Sequence, residues 1–123
     1  TLHASNVSHL IAARPARVTS AQIRRAVDYI HEHHHDTLYL EDIARAVGVH
    51  PRTLQIGFRQ ETGQSPLSYL KAVRLDVARY RLARRTNRES VTDVAYGCGY
   101  SHLGRFSQDF RARFGQLPSA IGP

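Results

Sequence analysis

Residues 93–118 read DVAYGCGYSHLGRFSQDFRARFGQLP, and residues 42–66 read DIARAVGVHPRTLQIGFRQETGQSP. Slid by 51 residues, Asp42-Ile43-Ala44 falls on Asp93-Val94-Ala95, and Gly48 falls on Gly99. The second copy then carries one extra residue. At an offset of 52, Leu54 falls on Phe106, Phe58-Arg59 on Phe110-Arg111, Gly63-Gln64 on Gly115-Gln116 and Pro66 on Pro118. Such an internal repeat points to two copies of one supersecondary unit. Each copy reads as two short helices joined at a glycine, with helix-turn-helix spacing. Ala44 and Ala95 are small because the second helix of each unit crosses close above them. Gly48 and Gly99 supply a left-handed turn that a Cβ would penalise. Leu54 with Phe58, and Phe106 with Phe110, lie one helical turn apart and aim at a core. The second helices then turn outward Arg52, Gln55, Ile56 and Arg59 in the first copy, and His102, Arg105, Gln108 and Arg111 in the second.

Between the copies, Ser65-Pro66 opens the longest helix, which runs to about Arg84. Two apolar stripes lie on it, roughly 130° apart at ~100° per residue. Leu70, Val73, Val77 and Tyr80 form one, and Leu75, Ala78 and Leu82 the other. A helix with two stripes packs against two bodies. Arg74 and Arg81 fall between the stripes, and Arg74 is expected to pair with an acid across the lobes. Thr19 or Ser20 caps an earlier helix, with Ile23, Val27 and Ile30 at helical spacing, ending near His34–Asp36. Shorter helices are expected over Leu40–Val47, Pro51–Glu61, Val91–Cys98 and His102–Phe114, with a last turn from Pro118. No stretch alternates at period two for long enough to make a sheet. The expected fold is all-α, with about seven helices. Two helix-turn-helix subdomains (residues 19–64 and 86–123) flank a connecting helix (residues 65–85), after a linker or frayed tail over residues 1–18.

A chain of 123 residues holds one compact domain or two small lobes. It carries 17 Lys+Arg against 10 Asp+Glu, a formal net charge of +7, and 16 of the 17 cations are Arg. Arg forks bidentately onto phosphate and guanine better than Lys does, so the charge favours nucleic acid over a membrane surface or an acidic protein. No apolar run approaches the ~20 residues of a membrane span. The single Cys98 excludes an internal disulfide and favours the cytoplasm; it takes a core position matching Val47. The chain contains no Met, so either a start Met was removed or, the favoured reading, Thr1 is an internal residue of a longer protein. His31-Glu32-His33-His34-His35 matches the H-E-x-x-H zinc motif, which needs His31 and His35 on one helical face. The helix is expected to run out there, and no third ligand stands at motif spacing. A zinc hydrolase is therefore the runner-up class, and no metal, cofactor or catalytic group is expected.

The repeated residues, with Leu40-Glu41-Asp42-Ile43-Ala44, Thr53-Leu54-Gln55, Thr62-Gly63-Gln64-Ser65-Pro66, Tyr69-Leu70, Val73-Arg74-Leu75 and Val91-Thr92-Asp93-Val94-Ala95, resemble a known pattern. It is that of the C-terminal DNA-binding domain of the AraC/XylS family of bacterial transcriptional regulators. The stretch Gly99-Tyr100-Ser101-His102-Leu103-Gly104-Arg105-Phe106-Ser107, closing on Gly115-Gln116-Leu117-Pro118-Ser119, is most similar to the XylS-like branch. The resemblance covers about residues 20–121. It implies sequence-specific binding to double-stranded promoter DNA, activation by contact with RNA polymerase, and an N-terminal effector or dimerisation domain preceding this segment. Many members carry Arg where Ile56 and Gln108 stand here. Ile56 can pack on a thymine methyl, and Gln108 can pair with adenine. The expected base readers are thus Arg52, Gln55, Ile56, His102, Arg105 and Gln108, with Arg59 and Arg111 on phosphate. A helix of about 28 Å comes close to one ~34 Å DNA turn, so it could set two recognition helices in successive major grooves.

Overall fold

The computed structural model describes residues 17–122, and residues 1–16 of the expected linker lie outside them. The described residues form six α-helices and one short 3-10 turn, with no strand. They are α1 (Ser20–His33), α2 (Leu40–Val47), α3 (Pro51–Thr62), α4 (Pro66–Arg84), α5 (Val91–Gly97) and α6 (Leu103–Phe114), then the turn Pro118–Ala120.

Local chemistry sets most of these boundaries. Thr19 and Gln22 close a reciprocal capping box at α1, and Ser90 and Asp93 close another at α5. The repeated Asp explains itself here. Asp93 accepts from the Ser90 amide at 3.0 Å, and Asp42 accepts from the Tyr39 amide at 2.8 Å. Ser65 caps α4, with Pro66 in its first turn. The helix ends differ from expectation by a residue or two: α1 stops at His33 and α5 at Gly97.

Two cores form. Ile23, Ala26, Ile30, Ile43, Ala44, Val47, Leu54, Phe58, Leu70 and Val73 close the first. Val18 packs against it, so the first lobe begins inside the stretch expected as linker. Leu75, Ala78, Leu82, Val94, Ala95, Cys98, Phe106, Phe110 and Ile121 close the second. The two stripes of α4 divide between these cores, and Val77 touches both. Tyr80 departs from its expected place: it is 61% exposed. From Val73 to Tyr80 the helix climbs about 10 Å, past the end of the first lobe. The Arg84 guanidinium stacks on its ring at 3.8 Å instead.

Candidate nucleic-acid interface

The second helix of each unit, α3 and α6, is anchored from below. Leu54 and Phe58 are wholly buried under α3, as are Phe106 and Phe110 under α6. Ala44 and Ala95 are also buried, at the crossing of each helix pair. Gly48 takes φ 75° and Gly99 φ 97°, so the tight turn expected at each is present.

With those faces inside, Arg52, Gln55, Ile56 and Arg59 all emerge to solvent on α3. They share an arc of roughly 100°. On α6, Arg105, Gln108 and Arg111 are likewise exposed, with His102 at the helix start. Ile56 is 48% exposed, an apolar side chain among cations. The two faces are not copies of one another. At the 52-residue offset Gly104 holds the place of Arg52, and Arg105 the place of Thr53.

The arginines differ in whether an acid already holds them. Arg45 pairs with Asp42 at 3.4 Å, Arg81 with Glu89 at 2.8 Å, and Arg113 with Asp76 at 2.9 Å. Arg52, Arg59, Arg105 and Arg111 form no ion pair among the described residues. On the recognition helices these four cations are therefore free to meet an outside anion, while Arg113, also on α6, is held by Asp76 of α4. Arg74 corrects an expectation. It pairs with no acid. Its Nε donates to the His34 carbonyl and its Nη2 to the Asp36 carbonyl, each at 2.7 Å. Burial pushes its pKa down, partly offset by the nearby Tyr100.

One shared feature escaped the sequence reading. His50 Nδ1 accepts from the Arg52 amide at 3.2 Å, and His102 Nδ1 accepts from the Arg105 amide at 3.1 Å. Each is the N-cap of its recognition helix. The signal was present, since His50 falls on His102 at the same 52-residue offset. Histidine is simply an uncommon cap beside Ser, Thr, Asp and Asn. His102 thus spends one ring nitrogen on its own helix and keeps only Nε2 for an outside partner.

The H-E-x-x-H match does not make a metal face, because α1 ends at His33 and His35 lies beyond it. His31 Nε2 lies 3.0 Å from the Tyr69 hydroxyl. Among the described residues no group of His, Cys, Asp and Glu is placed to hold a metal ion. Cys98 is wholly buried; burial raises its thiol pKa, opposed in part by Arg81. No described helix is long and apolar enough to cross a membrane.

A model of the helix-turn-helix domain family matches residues 43–122. The probable thc operon regulatory protein of Rhodococcus erythropolis is 40% identical over 98 residues, covering 79% of this chain and 30% of that protein. A XylDLEGF operon transcriptional activator of Pseudomonas putida is 32% identical over 132 residues, covering 97% of this chain and 84% of that protein. A second Pseudomonas putida activator of that operon is 34% identical, and this chain spans 34% of its length. Among solved structures, a probable AraC family regulator from Rhodopseudomonas palustris superposes with a TM-score of 0.76. It is 30% identical, over 85% of this chain and 100% of that one. The DNA-binding domain of AdpA, solved in complex with a target DNA, gives a TM-score of 0.72 at 31% identity, over 80% of this chain and 86% of that one.

Proposed function

The chain belongs to the AraC/XylS family of helix-turn-helix transcriptional regulators, and from that premise we propose that it reads double-stranded promoter DNA with α3 and α6. One observation carries the proposal. Two helices at matching places of the repeat, each locked from below by buried Leu or Phe, turn unpaired Arg and Gln to solvent from two cores that share a single rod. The rod, α4, has 19 residues, or about 28 Å at 1.5 Å per residue. One DNA turn is ~34 Å, so the two helices suit successive major grooves on one side of a duplex.

In this reading Arg52, Gln55, Arg105 and Gln108 contact base edges, with His102 through its free nitrogen. Ile56 packs on a thymine methyl. Arg and Gln carry the bidentate geometry for guanine and adenine that the major groove displays. Arg59 and Arg111 follow the buried Phe of each unit and grip phosphate. Residues 19–64, joined by Val18, and residues 86–123 form the two reading units, residues 65–85 connect them, and the residues before Val18 belong to an interdomain linker. The chain spans about a third of the length of the Rhodococcus relative and of one Pseudomonas putida activator; an effector or dimerisation domain precedes it in the whole protein, which activates transcription in the cytoplasm by contact with RNA polymerase. The names of the Pseudomonas putida relatives support the activator reading.

Selection of sites from random duplex DNA tests this directly. The expected outcome is one enriched two-box sequence. Arg105→Ala should then weaken binding to that site by about 1–3 kcal/mol and relax preference at one base pair. Enrichment of no sequence, or an equal loss on random DNA, would leave only a charge-driven binder.

A further inference from the structure

The polar contacts made along α4 differ in what they join. Near its start the Tyr69 hydroxyl meets His31 on α1. Further on, Asp76 takes a two-point contact from Arg113 of α6, at 2.9 and 3.1 Å. Between them lies Arg74, whose contacts reach both lobes. Its two acceptors, the carbonyls of His34 and Asp36, sit just past the C-terminal end of α1. The last carbonyls of a helix have no partner within it, and a cation there meets the negative end of the helix dipole. On its other side lies the turn between α5 and α6. A Cβ built on Gly99 would stand 2.6 Å from the His34 carbonyl oxygen and 2.7 Å from Arg74 Nε. The guanidinium is therefore held between the end of the first lobe's α1 and the hinge of the second lobe's reading unit.

We propose that Arg74 is a positioning residue that fixes the separation and rotation of the two recognition helices, and so the spacing between the two boxes the protein accepts. This rests on the two-groove reading above. The path is short at both ends. α1 packs directly on α3, and the Gly99 turn leads into α6. A planar guanidinium donates from two separated nitrogens in a fixed direction, whereas the three donors of a Lys ammonium radiate from one rotatable nitrogen and impose no such direction. Without it the lobes remain joined by continuous α4 and the shared Val77, so each still folds. Their mutual angle loses its stop. One inserted base pair displaces the second box by about 3.4 Å and rotates it by about 34°, which a rigid pair of helices cannot follow.

The test uses the 123-residue chain, as wild type, Arg74→Ala and Arg74→Lys. Its probes are a duplex enriched by the wild type, the same duplex with one base pair added or removed between boxes, and a duplex keeping one box. Wild type should lose about tenfold on the altered spacings, and Arg74→Ala about threefold or less, with single-box binding unchanged and Lys between. An unaltered spacing penalty in Arg74→Ala overturns the proposal. A second readout needs no DNA: spin labels at Gln60→Cys and Ala112→Cys, both exposed positions, in a Cys98→Val background. Arg74→Ala should broaden the label-to-label distance distribution; an unchanged distribution overturns the positioning role even where two-box binding stands. If no duplex is enriched, the DNA reading fails and the label distances still decide. If Arg74→Ala does not fold, the same readouts on Arg74→Lys decide, with a smaller change expected.

Discussion

Gly48 and Gly99 occupy the same place in two copies of one unit, yet alanine should cost very different amounts at each. Both have positive φ, 75° and 97°. Forcing an L-residue into that region costs roughly 1–2 kcal/mol at either position. Alanine also restricts the unfolded chain, by a similar amount at both, so that contribution cancels in the comparison. At Gly48 a Cβ would meet nothing within 4 Å, and backbone strain is the whole effect. At Gly99 the new Cβ would stand 2.6 Å from the backbone oxygen of His34 and 2.7 Å from Arg74 Nε. A backbone carbonyl cannot swing aside as a side-chain tip can. Either the turn retreats or Arg74 releases a carbonyl, and a charged hydrogen bond contributes about 1.5–3 kcal/mol. Gly99→Ala should therefore destabilise by about 2.5–5 kcal/mol and Gly48→Ala by about 1–2 kcal/mol. At about 4 °C per kcal/mol the two variants should melt roughly 8 °C apart. Urea titrations of both variants, followed by far-ultraviolet circular dichroism, measure the difference. Equal losses would refute the close approach of the second turn to α1. A larger loss at Gly48 would refute it as well.

Arg59→Ala should lower affinity on all duplexes and flatten the slope of log K against log salt by about one unit; an unchanged slope removes Arg59 from the phosphate set. The half-buried Tyr100 donates its hydroxyl to Asp109 at 2.9 Å, and burial, then that hydrogen bond and the carboxylate's charge, raise its pKa well above 10. A raised folded-state pKa stabilises fully below the unfolded value and is lost as pH climbs from about 10 toward the folded value. Tyr100→Phe should thus melt lower at neutral pH yet lose less between about pH 9 and 11; parallel melting curves for the two proteins across that range would contradict the assignment.

Much of the fold was legible because its determinants are local. Asp42 and Asp93, three residues after their N-caps, and glycines at matched turns act within a few residues of chain. A repeat in register then tells which local pattern recurs. The outward faces of α3 and α6 followed from Leu54, Phe58, Phe106 and Phe110 alone, since burying one side of a helix exposes the other. Tyr80 shows where periodicity fails: the wheel records direction around the axis but not whether a partner still lies alongside at that height.

Sequence by itself determined an all-helical chain with two repeated reading units, a two-faced connecting helix and a surplus of arginine. Which arginines are free was decided only in three dimensions. Arg74 reaches carbonyls 38 and 40 residues away, and Arg113 finds Asp76 at a separation of 37 residues. Helix formation depends on neighbours in the chain, whereas the partner of a long charged side chain depends on which helix ends the packing brings beside it.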